Sequence, residues 1–510
     1  MGQGACAADD LAQDLHLPAL ARTAQEAARV ARVTAPTDEF TTAEPFETNQ
    51  GGAATVVTRA ISRDMSRAFS HPSASLTAGQ ELQFSLGRAV FKKLWVSSPS
   101  STKASDGLGP LYNARSCLRC HDNNGRGHPP EQAGDTAVSM VLRLSVPAAP
   151  DAPLSAIETY LAARDGSGAS PVTRPEPVYG AQLQDFAIQG HAAEGQMTVH
   201  YNETPVTLAD GAVVSLRAPV YGLANMAYGA VSPDVMVSPR VANPMIGLGL
   251  LDAIPAADIL AHADPGDADG DGISGRPQIV WSADHGQPVL GRFGWKAGNP
   301  SVAVQSAAAF SSDIGLSTPH LSNAAGECTA RQAACVAAEH GDGDVRDTEV
   351  DQTGLDLVTF YAANLGVPER RAVDDPQVLR GKALFYTSGC AACHVPKYVT
   401  ARLEGADAAA QSFQLIWPYS DLLLHDMGEG LADGRPEGRA TGREWRTPPL
   451  WGIGLTAQVS GHTYFLHDGR ARSLLEAVVW HGGEAQAARD TVVQMTQADR
   501  EALLRFLESL

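Results

Sequence analysis

The sequence contains no apolar run long enough to cross a membrane and no excess of positive charge. Its 38 Lys and Arg against 57 Asp and Glu give a net charge of −19. Such acidity disfavours nucleic-acid binding and would attract a basic partner, such as a positively faced electron carrier, although it also serves solubility alone. With 510 residues, 44% of them hydrophobic, the chain is long enough for two or three domains with a large buried core.

Cysteine is scarce, with 7 residues, yet four of them fall in two copies of one motif, for which chance would give roughly 0.003 copies per chain. The motif is C-x-x-C-H, and its copies are Cys117, Cys120 and His121, and Cys390, Cys393 and His394. The pattern predicts two covalently bound haem c groups, each attached by two thioethers, with the histidine as the proximal iron ligand.

Two other interpretations of the cysteine pairs stay open. Four cysteines could build one zinc site, but structural zinc pairs lie much closer in sequence, and zinc does not explain a histidine after both pairs. A thioredoxin-like dithiol would need a βαβ context, which the sequence does not indicate.

The remaining cysteines and the N-terminus bear on location. Cys328 and Cys335, in a polar stretch, are expected to form a disulfide in an oxidising compartment. Cys6 is interpreted as a free thiol rather than a lipid anchor, because Gln3-Gly4-Ala5 is a poor lipoprotein box. The first residues lack a secretory leader. Because c-type haem is attached outside the bacterial cytoplasm, we expect a periplasmic protein whose leader precedes this numbering.

The predicted fold is mainly α, with two cytochrome c-like domains. An amphipathic helix over Thr77–Phe91, capped by Thr77, ends in Gly-Arg-Ala-Val-Phe, and Gly381–Phe385 (Gly-Lys-Ala-Leu-Phe) precedes the second motif in the same way. Helices over Asp356–Leu365 and Asp499–Leu510 should close the two halves. The predicted boundaries are an N-terminal extension (1–75, helical near 11–33), a first domain (76–370) and a second domain (371–510).

The first domain is predicted to carry a large, partly β insertion over about 137–285, with strands at Val138–Val146, Met197–Tyr201 and Val213–Leu216. Within the insertion, Asp267, Asp269 and Asp271 are spaced like the first ligands of a calcium loop, but position 12 is Gln278 rather than the glutamate of an EF-hand. The pattern predicts a Ca²⁺ ion here, and an empty Asp/Gly turn is the alternative.

Several phrases resemble the superfamily of di-haem cytochrome c peroxidases and MauG. They are Thr447-Pro448-Pro449-Leu450, Leu466-His467-Asp468-Gly469-Arg470 and Ser473–Val478 (Ser-Leu-Leu-Glu-Ala-Val). Residues 106–117, 293–297 and 481–485 resemble its branch of di-haem oxidoreductases, sometimes labelled thiol oxidoreductases. The resemblance covers roughly residues 75–510 and implies two haems in an oxidoreductase.

By this resemblance His481 occupies the place of the sixth iron ligand of the second haem. Ser473 and Glu476 are expected to form a capping box that starts a short helix ending at His481, before Gly482 and Gly483. Met427 is the rival candidate for this ligand. The alternative for His481 is a surface histidine at a helix end that binds no iron.

The resemblance also implies residues around the first haem. Trp295, ten residues before Gln305, matches the spacing of a tryptophan that bridges the two haems in relatives, with a core tryptophan as the alternative. Asp313 lies near, but not at, the place of a distal acid that would move protons during peroxide cleavage. His128 is a rival to Asp313, either as a distal ligand or as a proton shuttle. The alternative is that His128 is a loop histidine with no role at the haem.

The function expected from these observations is a di-haem c-type peroxidase. The second haem would be saturated and take electrons from a small redox protein of cytochrome c or cupredoxin type. The first, open on one side, would reduce hydrogen peroxide. A pure electron carrier, an oxygenase or protein-modifying enzyme like MauG, and a dithiol oxidoreductase are the alternatives.

Overall fold

The structure is a computed structural model that describes residues 10–57, 64–132, 135, 139–166, 171–341, 347–405 and 410–510. Cys6 and Val138 lie outside the described residues. Helix accounts for only 31% of the chain and strand for 17%. The prediction of a mainly α fold is therefore wrong. The helix content is low because long connections and many short sheets separate the helices that flank the two motifs.

The α-helices of the described residues are α1 Ala24–Thr34, α2 Ala78–Lys92, α3 Cys117–Cys120, α4 Ala156–Asp165, α5 Leu248–Asp252, α6 Ala256–Leu260, α7 Val302–Ala309, α8 Ala333–Val336, α9 Gln352–Ala363, α10 Pro376–Thr387, α11 Thr456–Ser460, α12 Leu474–Trp480, α13 Gln486–Gln494 and α14 Gln497–Ser509. A π-helical turn, Phe310–Ile314, continues α7. Thr77 caps α2 as predicted and forms a capping box with Gln80. The helix predicted near 11–33 begins only at Ala24, because Pro18 disfavours helix in the residue before it.

The strands are β1 Ala19–Leu20, β2 Leu111–Tyr112, β3 Met140–Pro147, β4 Thr173–Arg174, β5 Phe186–Ala187, β6 Gln196–Thr207, β7 Val213–Ala224, β8 Met236–Val241, β9 Ile279–Ser282, β10 Gln287–Leu290, β11 Tyr398–Val399, β12 Arg402–Leu403, β13 Leu415–Ile416, β14 Leu424–Asp426 and β15 Glu444–Arg446. The three strands predicted in the insertion are present, and β6 and β7 extend beyond the predicted runs. They pair antiparallel along their whole length, from Gln196 opposite Ala224 to Thr207 opposite Val213. Most other sheets have two strands, and β3 lies between β4 and β8.

The internal repeat corresponds to a repeated pair of packed helices. α2 packs on α9, and α10 packs on α14. A methyl group at Gly87 would fall 2.1 Å from the carbonyl oxygen of Leu357, and one at Gly381 would fall 1.9 Å from that of Ala502. The glycine of each copy therefore lets two helix backbones touch, a requirement that no larger side chain meets.

Replacing either glycine by alanine is expected to lower the free energy of unfolding by about 1–3 kcal/mol, because the added methyl group overpacks a closed helix contact. Chemical denaturation measures this loss. Gly79→Ala is the matched control: it lies in α2 with no atom within 4 Å of the added methyl position, so it should be neutral or slightly stabilising. Equal stability of all three variants would contradict the packing role.

Three apolar clusters make up most of the core. One lies under α2 and α9 and includes Phe84, Phe91 and Tyr361. A second lies under α10 and α14 and includes Phe385 and Phe506. The largest combines residues from both sequence halves, such as Ile254 and Trp451, so the halves share buried surface. The predicted domain boundaries stay a prediction.

The N-terminal segment lies against the second half of the chain. β1 pairs antiparallel with β12. Lys382 donates to Glu44 and Glu47, each at 2.9 Å. Among the described residues, no helix is both long and apolar enough to span a bilayer.

Candidate functional site: two histidine–cysteine sites and a buried cavity

The two motif histidines are held in the same way. The Nδ1–H of His121 donates to the carbonyl oxygen of Asn243 at 2.8 Å. The Nδ1–H of His394 donates to that of Tyr419 at 2.9 Å. Burial lowers the pKa of His121, and it lowers the pKa of His394 to about 4. Both rings are therefore neutral, with Nε2 free to bind a metal.

The helix before each motif positions its histidine. Phe91, the last residue of the first repeat, lies 6.2 Å from the His121 ring, and Phe385 lies 6.2 Å from the His394 ring. The closing helix supports each phenylalanine from behind, with Tyr361 at 5.0 Å and Phe506 at 5.1 Å. The repeat thus places glycine at the helix crossing and phenylalanine at the histidine.

A cavity of about 440 Å³ opens beside the first motif, within the size range of cofactor sites. Cys117, Cys120 and His121 line it, together with Trp295, Gln305 and Asp313. The structure therefore brings together at one cavity all three residues predicted to act around the first haem. Their roles stay predictions.

Positive charge dominates the polar lining of this cavity. The guanidiniums of Arg240 and Arg435 both pair with Glu437, at 2.8 Å and 2.7 Å. Arg126 and Arg446 are only 8% and 6% exposed, and neither forms an ion pair with a carboxylate of the described residues. Burial lowers the pKa of each to about 10. Both stay protonated at neutral pH.

The first site therefore fits a haem on the evidence of its own side chains. A buried charge needs a partner. The two guanidiniums without a carboxylate contact neighbouring residues: Arg126 lies 5.5 Å from the Trp295 ring, and Arg446 donates to the carbonyl oxygen of Gly294 at 2.9 Å. Two cysteine sulfurs, a histidine with a free Nε2 and two cations match the vinyl groups, the iron and the propionates of a haem c.

The second site differs from the first because another histidine faces it. His481 ends α12, and its Nδ1–H donates to the carbonyl oxygen of Ala477 at 2.7 Å, which leaves Nε2 free. Burial, and after it the charge of His481, lower the pKa of His394, so the two side chains lie within electrostatic range of each other. The side chain of Met427, the rival ligand, instead packs against the apolar cluster that includes Trp295 and Trp445. The role of His481 as the sixth ligand stays a prediction.

The capping box predicted for α12 is only half formed. The Ser473 side chain accepts from the Glu476 N–H at 3.1 Å, as predicted. The Glu476 carboxylate accepts from the N–H groups of Arg217 and Arg472 instead of Ser473. The reason is tertiary: β7 of the insertion lies across the start of the helix.

The cysteine thiols do not favour the zinc and dithiol interpretations. Burial raises the pKa of Cys117 and of Cys390 to about 12, so neither is a ready thiolate. All four motif cysteines are unbridged. Among the described residues, no four cysteines lie together. The group of side chains there that could hold a metal ion consists of three aspartates. The predicted disulfide between Cys328 and Cys335 is confirmed.

The residues predicted near the distal side are held by their neighbours. Gln305 accepts from the side-chain amide of Asn299 at 3.0 Å, and Asp313 accepts from that of Gln182 at 2.8 Å. Asp313 raises the pKa of both Cys117 and Cys120, although burial does more. It therefore lies near the cysteine pair. His128 is exposed and outside the cavity lining.

The acidic loop groups different carboxylates from those predicted. Oxygens of Asp264, Asp267 and Asp269 lie within 4.8 Å of one another. The Asp271 carboxylate instead accepts from the Ile273 N–H at 2.8 Å. Gln278 is buried among other partners. Calcium binding stays a prediction, with Asp264 as a ligand that the spacing did not indicate.

A histidine behind the cavity is expected to make stability depend on pH. His462 donates from Nε2 to the carbonyl oxygen of Arg126 at 3.1 Å, and its Nδ1 accepts from the Tyr464 N–H at 3.2 Å. Burial lowers its pKa to about 4. Because the unfolded-state pKa is about 6.5, this histidine stabilises the fold above that pH, and the contribution is lost as the pH falls toward 4.

Glutamine at this position cannot titrate. Between pH 7 and pH 4, the free energy of unfolding of His462→Gln should therefore fall by about 1 kcal/mol less than that of the parent protein. This figure is reduced because the histidine is partly exposed. Urea denaturation at several pH values measures this difference. The exposed His200→Gln serves as control. A parallel pH dependence of His462→Gln and the parent would contradict the assignment.

Several side chains at the two sites were not predicted from the sequence. Arg126, Arg446 and Trp445 occur in no recognisable spacing. His467 was quoted only as part of a family phrase. It stacks on Trp445 with ring centres 3.7 Å apart, and its Nε2 is buried without a hydrogen-bond partner. His425, which contacts Cys393, was also not assigned.

The fold and these sites define a protein with two histidine–cysteine sites, of which one is faced by a second histidine and the other opens onto a cavity. A model of the family described as "Di-haem oxidoreductase, putative peroxidase" matches residues 46–510. The chain therefore belongs to this family of di-haem oxidoreductases. A search of curated proteins found no match.

One solved structure is similar over part of the chain. It is hydrazine synthase from Kuenenia stuttgartiensis, pressurised with 20 bar xenon, with 20% identity and a TM-score of 0.20. The match covers 31% of this chain and 55% of that one, so the chain spans about half the length of that protein. Such a score carries no conclusion about fold or activity.

Proposed function

We propose that this protein is a periplasmic di-haem c-type oxidoreductase that reduces hydrogen peroxide with electrons from a small redox protein. The observation that carries the proposal is the asymmetry of the two sites. His394 lies within electrostatic range of His481, whereas His121 borders a cavity of about 440 Å³. A saturated iron suits electron transfer, and an iron with a vacant side can bind a small oxidant.

The residues of the chain have distinct tasks. Cys117 and Cys120 would hold one haem, and Cys390 and Cys393 the other. Bound haem would supply the redox chemistry, which is electron acceptance at the second site and reduction of the oxidant at the first. The carboxylate of Asp313 would exchange a proton within the cavity, where Gln182 holds one of its oxygens at 2.8 Å.

A row of three neighbouring aromatic rings supports an electron path between the sites. Trp295 lines the first cavity and lies 6.4 Å from His467, which stacks on Trp445 at 3.7 Å. Trp445 is paired across β14 and β15 with His425, which contacts Cys393 of the second site. Trp295 would thus bridge the haems with two partners that sequence reasoning did not assign.

The net charge of −19 supports a basic-faced donor of cytochrome c or cupredoxin type. Because opposite charges steer association in a salt-dependent manner, turnover with such a donor should fall as ionic strength rises. Calcium at the acidic loop is part of the same proposal as a structural ion.

Low-temperature EPR of the oxidised, haem-loaded protein, together with steady-state turnover of peroxide and reduced cytochrome, tests the proposal. One high-spin and one low-spin ferric signal with turnover support it. Two low-spin signals without turnover before or after reduction would indicate an electron carrier. A high-spin signal without turnover of cytochrome would indicate an enzyme that oxidises an organic or protein target.

A further inference from the structure

His425 is a buried histidine with a carboxylate on each ring nitrogen. It is 2% exposed. Nε2 lies 2.8 Å from Asp421, and Nδ1 lies 2.7 Å from Glu484. Because an ionised carboxylate only accepts hydrogen bonds, both ring nitrogens donate, and the ring is a cation between two anions.

The two carboxylates belong to different parts of the second site. The Asp421 N–H donates to the carbonyl oxygen of Cys393 at 3.0 Å, and the His425 ring lies 3.6 Å from the Cys393 sulfur. Glu484 stands three residues after His481 in the chain. His425 therefore joins the segment of the second motif to the segment that carries the facing histidine.

On its C-terminal side that second segment is held by close packing of its glycines on the end of β14 and by the side chain of Glu484. α12 ends at Trp480, and Gly482 and Gly483 separate His481 from Glu484. Gly483 has a φ of 55°, in the left-handed region that favours glycine. Two glycines add backbone freedom at the point where the position of His481 is decided.

Glu484 is the anchor that limits this freedom. Besides His425, it accepts from the Ser274 hydroxyl at 2.6 Å and from the Asp426 N–H at 3.2 Å. These contacts fix it to β14 and to the end of the acidic loop. The charged bond to His425 is the contact that reaches the cysteine motif.

We propose that His425 is a positioning residue which, through Glu484, holds His481 opposite His394 as the sixth ligand of the second haem. This inference rests on the proposed role of His481. Without the buried cation, Glu484 has no partner beside the motif, and the segment with His481 moves away from His394.

The test is His425→Gln in the full-length, haem-loaded protein, read by low-temperature EPR. Glutamine cannot donate to both carboxylates at the two ring positions. The expected result is that the low-spin signal of the second haem falls about tenfold, since breaking a buried charge pair is strongly destabilising. A high-spin signal replaces it, and added imidazole restores the low-spin form. The signal of the first haem is the internal reference.

Glu484→Gln provides a second variant, since it keeps a side chain that can bind Ser274 but removes the charge facing His425. It should give the same change of spin state. His320→Gln is the matched control, because it removes a histidine–carboxylate contact, to Asp284 at 3.4 Å, away from both motifs. It should leave both signals unchanged.

A low-spin signal of parental size in both His425→Gln and Glu484→Gln would overturn the inference. If His481→Ala loses the signal while these two variants keep it, only the role of His425 fails. If His481→Ala also keeps it, the ligand assignment fails as well, and peroxide turnover by the parent protein tests the proposed function separately.

Discussion

His481→Ala is expected to convert the second haem from low-spin to high-spin and to lower peroxide turnover about tenfold or more, equivalent to ~1.4 kcal/mol in the barrier. The reason is geometric. The Nδ1–H of His481 is engaged by Ala477 at 2.7 Å, so Nε2 is the atom left to bind iron near His394. Loss of this imidazole should also raise the reduction potential of the second haem, which a spectroelectrochemical titration measures.

Met427→Leu is the control for this prediction. The methionine side chain packs against the apolar cluster that includes Trp295 and Trp445, and leucine of similar volume should keep that packing. The low-spin signal should therefore persist in Met427→Leu. A signal that survives in His481→Ala and disappears in Met427→Leu would exchange the two assignments.

The double variant Cys117→Ser/Cys120→Ser should lose the covalent haem of the first site. The haem content by pyridine haemochrome absorbance should fall by about half, since one of two C-x-x-C-H motifs remains. Peroxide turnover should be abolished, because the cavity beside His121 would lose its redox group. The low-spin signal of the second site should persist, because Cys390 and Cys393 are untouched.

The disulfide pair gives the matched control. Cys328→Ser/Cys335→Ser also removes two sulfurs, but from a bridge with no part in either motif, and it should keep the full haem content. Mass spectrometry distinguishes covalent haem from bound zinc or a free dithiol. Retention of two covalent haems in Cys117→Ser/Cys120→Ser would contradict the thioether assignment.

Local patterns predicted much of the scaffold. Thr77 caps its helix with Gln80, and α9 and α14 lie within a few residues of the predicted closing helices. A capping box or an apolar helix face is a local signal, because its partners are three or four residues apart. The same reasoning overestimated helix for the whole chain, because two-residue strands such as Tyr398–Val399 leave no periodic pattern.

The candidate site was predicted only in part. The spacing that selected Trp295 and Gln305, and the neighbouring Asp313, led to three residues that do line one cavity. It could not indicate Arg126 or Arg446, whose unpaired charges are apparent only where the chain folds around them. For the acidic loop, spacing indicated Asp271, whereas the structure groups Asp264 with Asp267 and Asp269.

The sequence by itself determined the two C-x-x-C-H motifs, the capped helices before and after them, and the pairing of Cys328 with Cys335. Each depends on residues close together in the chain. Tertiary structure alone decided that the first site opens onto a cavity and that His425 joins Asp421 to Glu484. Such contacts form between distant segments, and their geometry depends on how the whole chain packs.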